Sequence, residues 1–134
     1  MDTLKDTVER LGAEAGHTLI GGAPEGVLAA AALRCIGGQM QTRLMFRNDD
    51  ERGRAAKWGI TDLDRRYDLL DLAAGDVMFA ATGVTDGTMV RGVRRTGSGA
   101  FTESIIMRSK SGTVRKISAD HDFTRKTGLQ FADE

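Results

Sequence analysis

The sequence predicts an α/β layered sandwich with a mixed sheet. Three features carry that expectation: helical apolar spacing early in the chain, strand-like alternation late in it, and seventeen glycines set against one proline. A chain of 134 residues that is 40% hydrophobic and 28% charged is long enough for one compact core. A single domain over 1–134 is expected, with 1–20 an N-terminal helical piece, 21–122 the main body and 123–134 a frayed tail.

The first element is an amphipathic helix over 2–15, in which Leu4, Val8, Leu11 and Ala15 recur at three- and four-residue steps and Gly16 supplies the stop. "HTLI" then runs extended into a glycine pair. Pro24 suits the first helical position, where its missing N–H costs nothing and its fixed φ is already helical. A second helix is therefore expected over 24–35, closed by Gly37 and Gly38, and being apolar nearly all round it should be buried.

"QMQTRLMFR" alternates Met40, Thr42, Leu44 and Phe46 with polar or longer residues and reads as a strand. Asn48 can cap the charged helix "DDERGRAAKWG", with Ala55, Trp58 and Gly59 turned inward and an acidic first turn that suits the helix dipole. "LDRRYDLLDLAAG" reads as a turn and a short helix packing Leu69, Leu70 and Leu72, and "DVMFAATGV" as a buried strand. Two strands, "TMVRGVRRT" and "FTESIIMRS", are separated by "GSGA", and "SKSG" opens a hairpin into "TVRKISADHDF". The hairpins require antiparallel pairs, which makes the expected sheet mixed.

Nineteen basic residues balance nineteen acidic ones, so no global field recruits nucleic acid or anionic lipid. Neither nucleic acid nor membrane is an expected partner. The one cysteine, Cys35, falls on the Ala/Leu-rich helix, which excludes a disulfide framework or a multi-cysteine zinc site within the chain. No apolar run reaches the ~18–20 residues of a membrane span, and "MDTLKDTVER" is acidic where a signal peptide is basic. A cytoplasmic setting is expected.

The chemistry concentrates in "GGAPEG". A glycine pair ahead of a helix lets backbone N–H groups approach an anion, and the positive end of the helix dipole adds to the attraction. A first-turn carboxylate, Glu25, gains roughly 0.3–1 kcal/mol from the same dipole and stays ionised, the state a hard divalent cation requires. Spacing alone leaves a plainer alternative open, in which the glycines form a turn and Glu25 only favours helix initiation. Elsewhere the plainer reading is preferred. Asp86 in "ATGVTDG" suits a turn before glycine, Arg94 and Arg95 in "RRTGSGAF" a hairpin tip, and the carboxylates of "DLDRRYDLLD" an exposed face. His17 and His121 lack partners at zinc-ligand spacing, and "GAEAG" and "GSG" form no dinucleotide fingerprint.

"GGAPEGVLAAAALRCIGGQMQTRL", "ATGVTDG" and "GVRRTGSGAFTESIIMRSKSGTVRKI" together resemble the C-terminal part of the class II fructose-1,6-bisphosphatases of the GlpX type. Three separated motifs occur in order, and the resemblance runs from about residue 21 to 122. It implies a metal-dependent, lithium-sensitive sugar-phosphatase fold that removes the 1-phosphate of fructose 1,6-bisphosphate and, in some members, of sedoheptulose 1,7-bisphosphate. It also implies Mn²⁺ or Mg²⁺ as cofactor, Glu25 as a metal ligand, and Gly22 beside the substrate. The other metal ligands of the family, its phosphate loop and its sugar-gripping residues precede this motif, where only twenty residues stand here, and Leu19 occupies a position usually held by glycine. No complete catalytic set is therefore expected within the chain, and no residue takes the role of general base. Two readings follow: the C-terminal part of a split or truncated enzyme that needs its missing half, or a non-catalytic module that pairs with a full-length homologue or binds a phosphorylated ligand. A homo-oligomer or a complex with a complementary chain is the expected assembly.

Overall fold

A glycine, a proline and an apolar run are enough to define the first helix of the computed structural model, which describes residues 22–126. Helix α1, Ala23–Ile36, starts on Gly22, whose extended backbone (φ −67°, ψ 156°) places it as the N-cap, and the Gly22 carbonyl accepts the Gly26 N–H at 3.1 Å. Pro24 is the second helical residue, one place later than expected and equally free of any lost hydrogen bond. At the other end Gly37 is left-handed (φ 76°), and the Gly38 N–H returns to the Leu33 carbonyl at 2.8 Å. The helix expected over 2–15 lies outside the described residues.

Burial of α1 is narrower than its composition suggests. Ala30 and Cys35 are buried, whereas Val27 and Leu28 are 45% and 58% exposed. One sheet face covers only one stripe of a helix, and the apolar residues off that stripe stay in solvent.

The next elements form a small layer beside α1. Strand β1, Gln41–Arg43, pairs antiparallel with β2, Arg66–Asp68, and the Gln41 amide donates to Asp68 Oδ1 at 3.2 Å. The long strand expected around residues 39–47 is thus three residues, because its partner is equally short, and β2 replaces part of the expected turn. Between them runs α2, Asp49–Lys57. Asn48 Oδ1 accepts the Glu51 N–H at 2.9 Å, and Glu51 reaches back to the Arg47 N–H at 2.8 Å and its guanidinium at 2.7 Å. Ala55 is buried as expected, but Trp58 is 80% exposed because it follows the last helical turn and no element covers it. In α3, Leu69–Leu72, Leu69 and Leu72 are half-buried and Leu70 is exposed, since four residues cannot bury three sides.

The larger sheet is built around β5, Gly99–Arg108. Along one side it pairs with β6, Thr113–Asp122; along the other with β3, Met78–Thr82, and β4, Arg94–Arg95. Every pairing among the described residues is antiparallel, in place of the expected mixed order. No helix lies between successive strands of the larger sheet, and β1 and β2, although α2 lies between them, are paired antiparallel. The hairpin after Arg108 forms as expected, with Gly112 at φ 61°. Strand β3 alternates exposed and half-buried residues, an edge strand where a buried one was expected. Only residues up to 126 of the tail are described; Phe123–Arg125 is a 3₁₀ turn capped by Asp122.

The core lies between α1 and β5. Ile105 and Met107 are fully buried against Cys35, with Ile36, Val77, Phe79 and Met89 around them. Burial also pushes the Cys35 thiol up, and Sγ lies 3.6 Å from the Val77 carbonyl, so this thiol is a packing group.

Residues 83–93 form a folded loop in place of most of the expected strand over 88–96. Asp86 Oδ1 accepts the Gly92 N–H at 2.8 Å and the Arg94 guanidinium at 3.2 Å. Glu103 accepts the Arg91 N–H at 2.9 Å and its Nε at 2.6 Å, and the same guanidinium lies 5.2 Å from the Phe101 ring centroid. The Arg91 side chain, and then its backbone N–H, hold the Glu103 carboxyl below the usual carboxylate range.

Ile105→Ala is expected to cost ~2–5 kcal/mol in urea unfolding, whereas Val84→Ala, 76% exposed, should stay within about 0.5 kcal/mol. A carboxylate with a lowered folded pKa stabilises the fold fully above its unfolded value, about 4.3, and that contribution disappears as pH falls through the folded value. Unfolding at pH 7 and at about pH 3 should therefore show a smaller acid loss in Glu103→Gln than in the parent chain; equal losses would contradict the role given to the Arg91–Glu103 pair.

Candidate functional site

The start of α1 is where the sequence concentrates its chemistry, and the local backbone explains why Gly22 and Glu25 meet. Glu25 is the third residue of the helix, the position from which a side chain reaches back toward the N-cap. Its carboxylate lies over the Gly22 α-carbon so closely that a Cβ on Gly22 would overlap Oε2. Glycine at Gly22 therefore leaves the room in which the Glu25 carboxylate folds back, a room any larger residue would take from that flexible side chain, although the φ of −67° suits any residue.

Both residues are exposed. The amides of Ala23 and Glu25 have no intrahelical acceptor by their position, Pro24 has no N–H to give, and the helix dipole is positive at this end. This arrangement offers a few amide donors and one anionic oxygen pair to a ligand. It does not offer a metal cage. A hard divalent cation takes about six or more oxygen ligands, and among the described residues no group of three or more His, Cys, Asp or Glu is placed to hold one. The residues present fit a single coordination position.

The other expected sites resolve into structure. Asp86 closes its loop through Gly92 and Arg94, and the Thr96 N–H bonds the Gly99 carbonyl at 3.0 Å to form the tip after Arg95. Asp68 and Asp71 line an open groove of about 650 Å³ with Gln39, Met40, Gln41, Leu69 and Leu70. Both carboxylates there are engaged, Asp68 by Gln41 and Asp71 by Arg65 and the Asp68 N–H. Neither Gly22 nor Glu25 lines that groove. His121 is held between Thr102 Oγ1 and Lys126 Nζ, each at 2.8 Å; His17 lies outside the described residues.

One charged pair carried no signal in the sequence reading: Arg91 and Glu103. The available clue was a lone glutamate within the otherwise uncharged stretch "FTESIIM", which needs a cation in space. No described helix is long and apolar enough to cross a membrane.

A family model described as "Bacterial fructose-1,6-bisphosphatase, glpX-encoded" matches residues 11–121. Similar proteins include the D-fructose 1,6-bisphosphatase class 2/sedoheptulose 1,7-bisphosphatase of Synechococcus sp. (strain JA-2-3B'a(2-13)), 42% identical over 126 residues, covering 83% of this chain and 36% of the relative. The proteins of the same description in Synechococcus sp. (strain JA-3-3Ab) and Synechococcus elongatus (strain ATCC 33912 / PCC 7942 / FACHB-805) are 43% and 41% identical. They cover 76% and 78% of this chain and 33% and 34% of their own lengths. The chain spans about a third of the length of the curated relatives it matches. With more than half of its residues matched by the family model, the chain belongs to the bacterial glpX-encoded fructose-1,6-bisphosphatase family.

Proposed function

We propose that the chain is the C-terminal part of a cytoplasmic, metal-dependent sugar bisphosphatase that hydrolyses the 1-phosphate of fructose 1,6-bisphosphate, with sedoheptulose 1,7-bisphosphate as a second substrate. The observation that carries this reading is the Gly22–Glu25 helix start, with an ionisable carboxylate folded over a glycine at the positive end of α1. In this reading Glu25 is one ligand of Mn²⁺ or Mg²⁺, and Gly22 with the neighbouring amides lies against the sugar phosphate. The remaining ligands come from polypeptide that corresponds to the other two thirds of the relatives' length. The resemblance to the family's GG-[AT]-PEG motif supports both assignments, and the exposure of Gly22 and Glu25 leaves them accessible to such a partner.

Within this chain the site residues bind and orient. The Glu25 carboxylate, at the third helical position, faces the positive end of the helix dipole, and the absence of a side chain at Gly22 leaves it room. Gly22→Ala would push that carboxylate aside and also weaken the helix start, since alanine is a much poorer N-cap than glycine.

The test is phosphate release from each bisphosphate with Mn²⁺ or Mg²⁺, by this chain alone and after co-expression with the complementary two thirds of a Synechococcus relative. Activity is expected only from the pair. Glu25→Gln should lower kcat/KM by ~100-fold, at the upper end of what loss of a group supporting a metal costs, and Gly22→Ala by about tenfold. A pair that forms yet stays inactive would replace this reading with that of a non-catalytic module, and an active pair that ignores Glu25→Gln would remove Glu25 from the metal site.

A further inference from the structure

The long strand β6 is the outer edge of the larger sheet. It pairs with β5 along all ten residues, and no other strand among the described residues pairs with it. Helix α1 packs over β3 and β5. The free side of β6 therefore presents a row of backbone N–H and C=O groups, uninterrupted by proline, glycine or a bulge. Edge strands usually carry charges that repel a neighbour, and β6, "TVRKISADHD", has four exposed ones. Their order is the informative feature: Arg115 and Lys116 come first, Asp120 and Asp122 last.

An antiparallel neighbour related by a twofold axis perpendicular to the sheet keeps each residue on its own face, so even-numbered residues meet even-numbered ones. With that axis at Ser118, Lys116 of each copy stands opposite Asp120 of the other, and Ile117, 42% exposed, stands opposite Ala119. Val114 and Arg115 then face Asp122 and His121. Moving the axis to Ile117 sets Lys116 against Ser118 and loses the charge pairs. Moving it to Ala119 keeps one charge pair per copy, Lys116 with Asp122, but shortens the ladder from residues 114–122 to 116–122.

We propose that β6 is a self-association edge, through which two copies of the chain pair antiparallel about Ser118 and join their four-stranded sheets into one. Charges that disfavour an arbitrary strand are thereby complementary to a second copy. Neither Gly22 nor Glu25 enters the contact, so a mass readout is independent of the phosphatase reading.

Sedimentation equilibrium of the full chain is expected to show a monomer–dimer equilibrium that weakens with added salt. Lys116→Glu and Asp120→Lys should each raise the dimer Kd about tenfold, because two symmetric attractions become repulsions. The double swap should return it to within about threefold of the parent. Lys116 also acts on Glu103, so each variant is checked for its fold by circular dichroism. As a second measurement, Ser118→Cys should form an interchain disulfide on mild oxidation, while Thr113→Cys, far from its own symmetry mate, should not. A chain that stays monomeric at about 1 mM, a dimer indifferent to both charge swaps, or an Ser118→Cys chain that fails to cross-link overturns the proposal.

Discussion

The contact between α1 and β5 is the constraint from which the rest of the described fold is hung. Ile105 and Met107 have essentially no exposed surface, and their partner across the layer is the small buried side chain of Cys35. Small residues on α1, Ala30, Ala32 and Cys35, let the helix come close enough to the sheet for β5 to be covered. Because β5, alone among the described strands, has partners along both sides, its position fixes β3, β4 and β6 at once. The glycine pair that ends α1 and the Gly22 turn that starts it then set where the chain enters and leaves this contact.

Local chemistry was the legible part. Gly22, Pro24 and Gly37 bracket α1, Asn48 with Glu51 starts α2, and "SKSG" turns β5 into β6; in each case the signal and its effect lie within a few residues. Trp58 and Leu70 show the limit. Both have the composition of core residues, but α2 ends before Trp58 and α3 is one turn long, and whether a large apolar side chain is covered depends on elements distant in sequence. The same dependence shortened the expected strand at 88–96 to Arg94–Arg95. Asp86, Arg91 and Glu103 draw residues 83–93 into a loop whose bonds beat a longer ladder.

For the candidate site, the proximity of Gly22 and Glu25 followed from helix geometry, since an N-cap and the third residue after it face each other on any helix. What one chain segment cannot reveal is which further oxygens approach Glu25, as a metal site is assembled from several elements. The roles of Asp68, Asp71 and Asp86 were resolved by distances: each carboxylate already accepts a named donor. Glu103, by contrast, was given no role from sequence, because its partner Arg91 is twelve residues away and reaches it only because the 83–93 loop folds back beside β5.

The two sides of the core also have a consequence for how the chain is made. Cys35 leaves the ribosome long before Ile105 and Met107 do, and at roughly 5–20 residues per second the interval is several seconds. During it α1 has no sheet to cover its apolar stripe, and α2, whose cap is local, can be complete. Closure of the core is therefore a late, non-local event that waits for nearly the whole described segment. Within the described segment, nascent α1 is the first apolar stretch that a chaperone guarding newborn chains would meet.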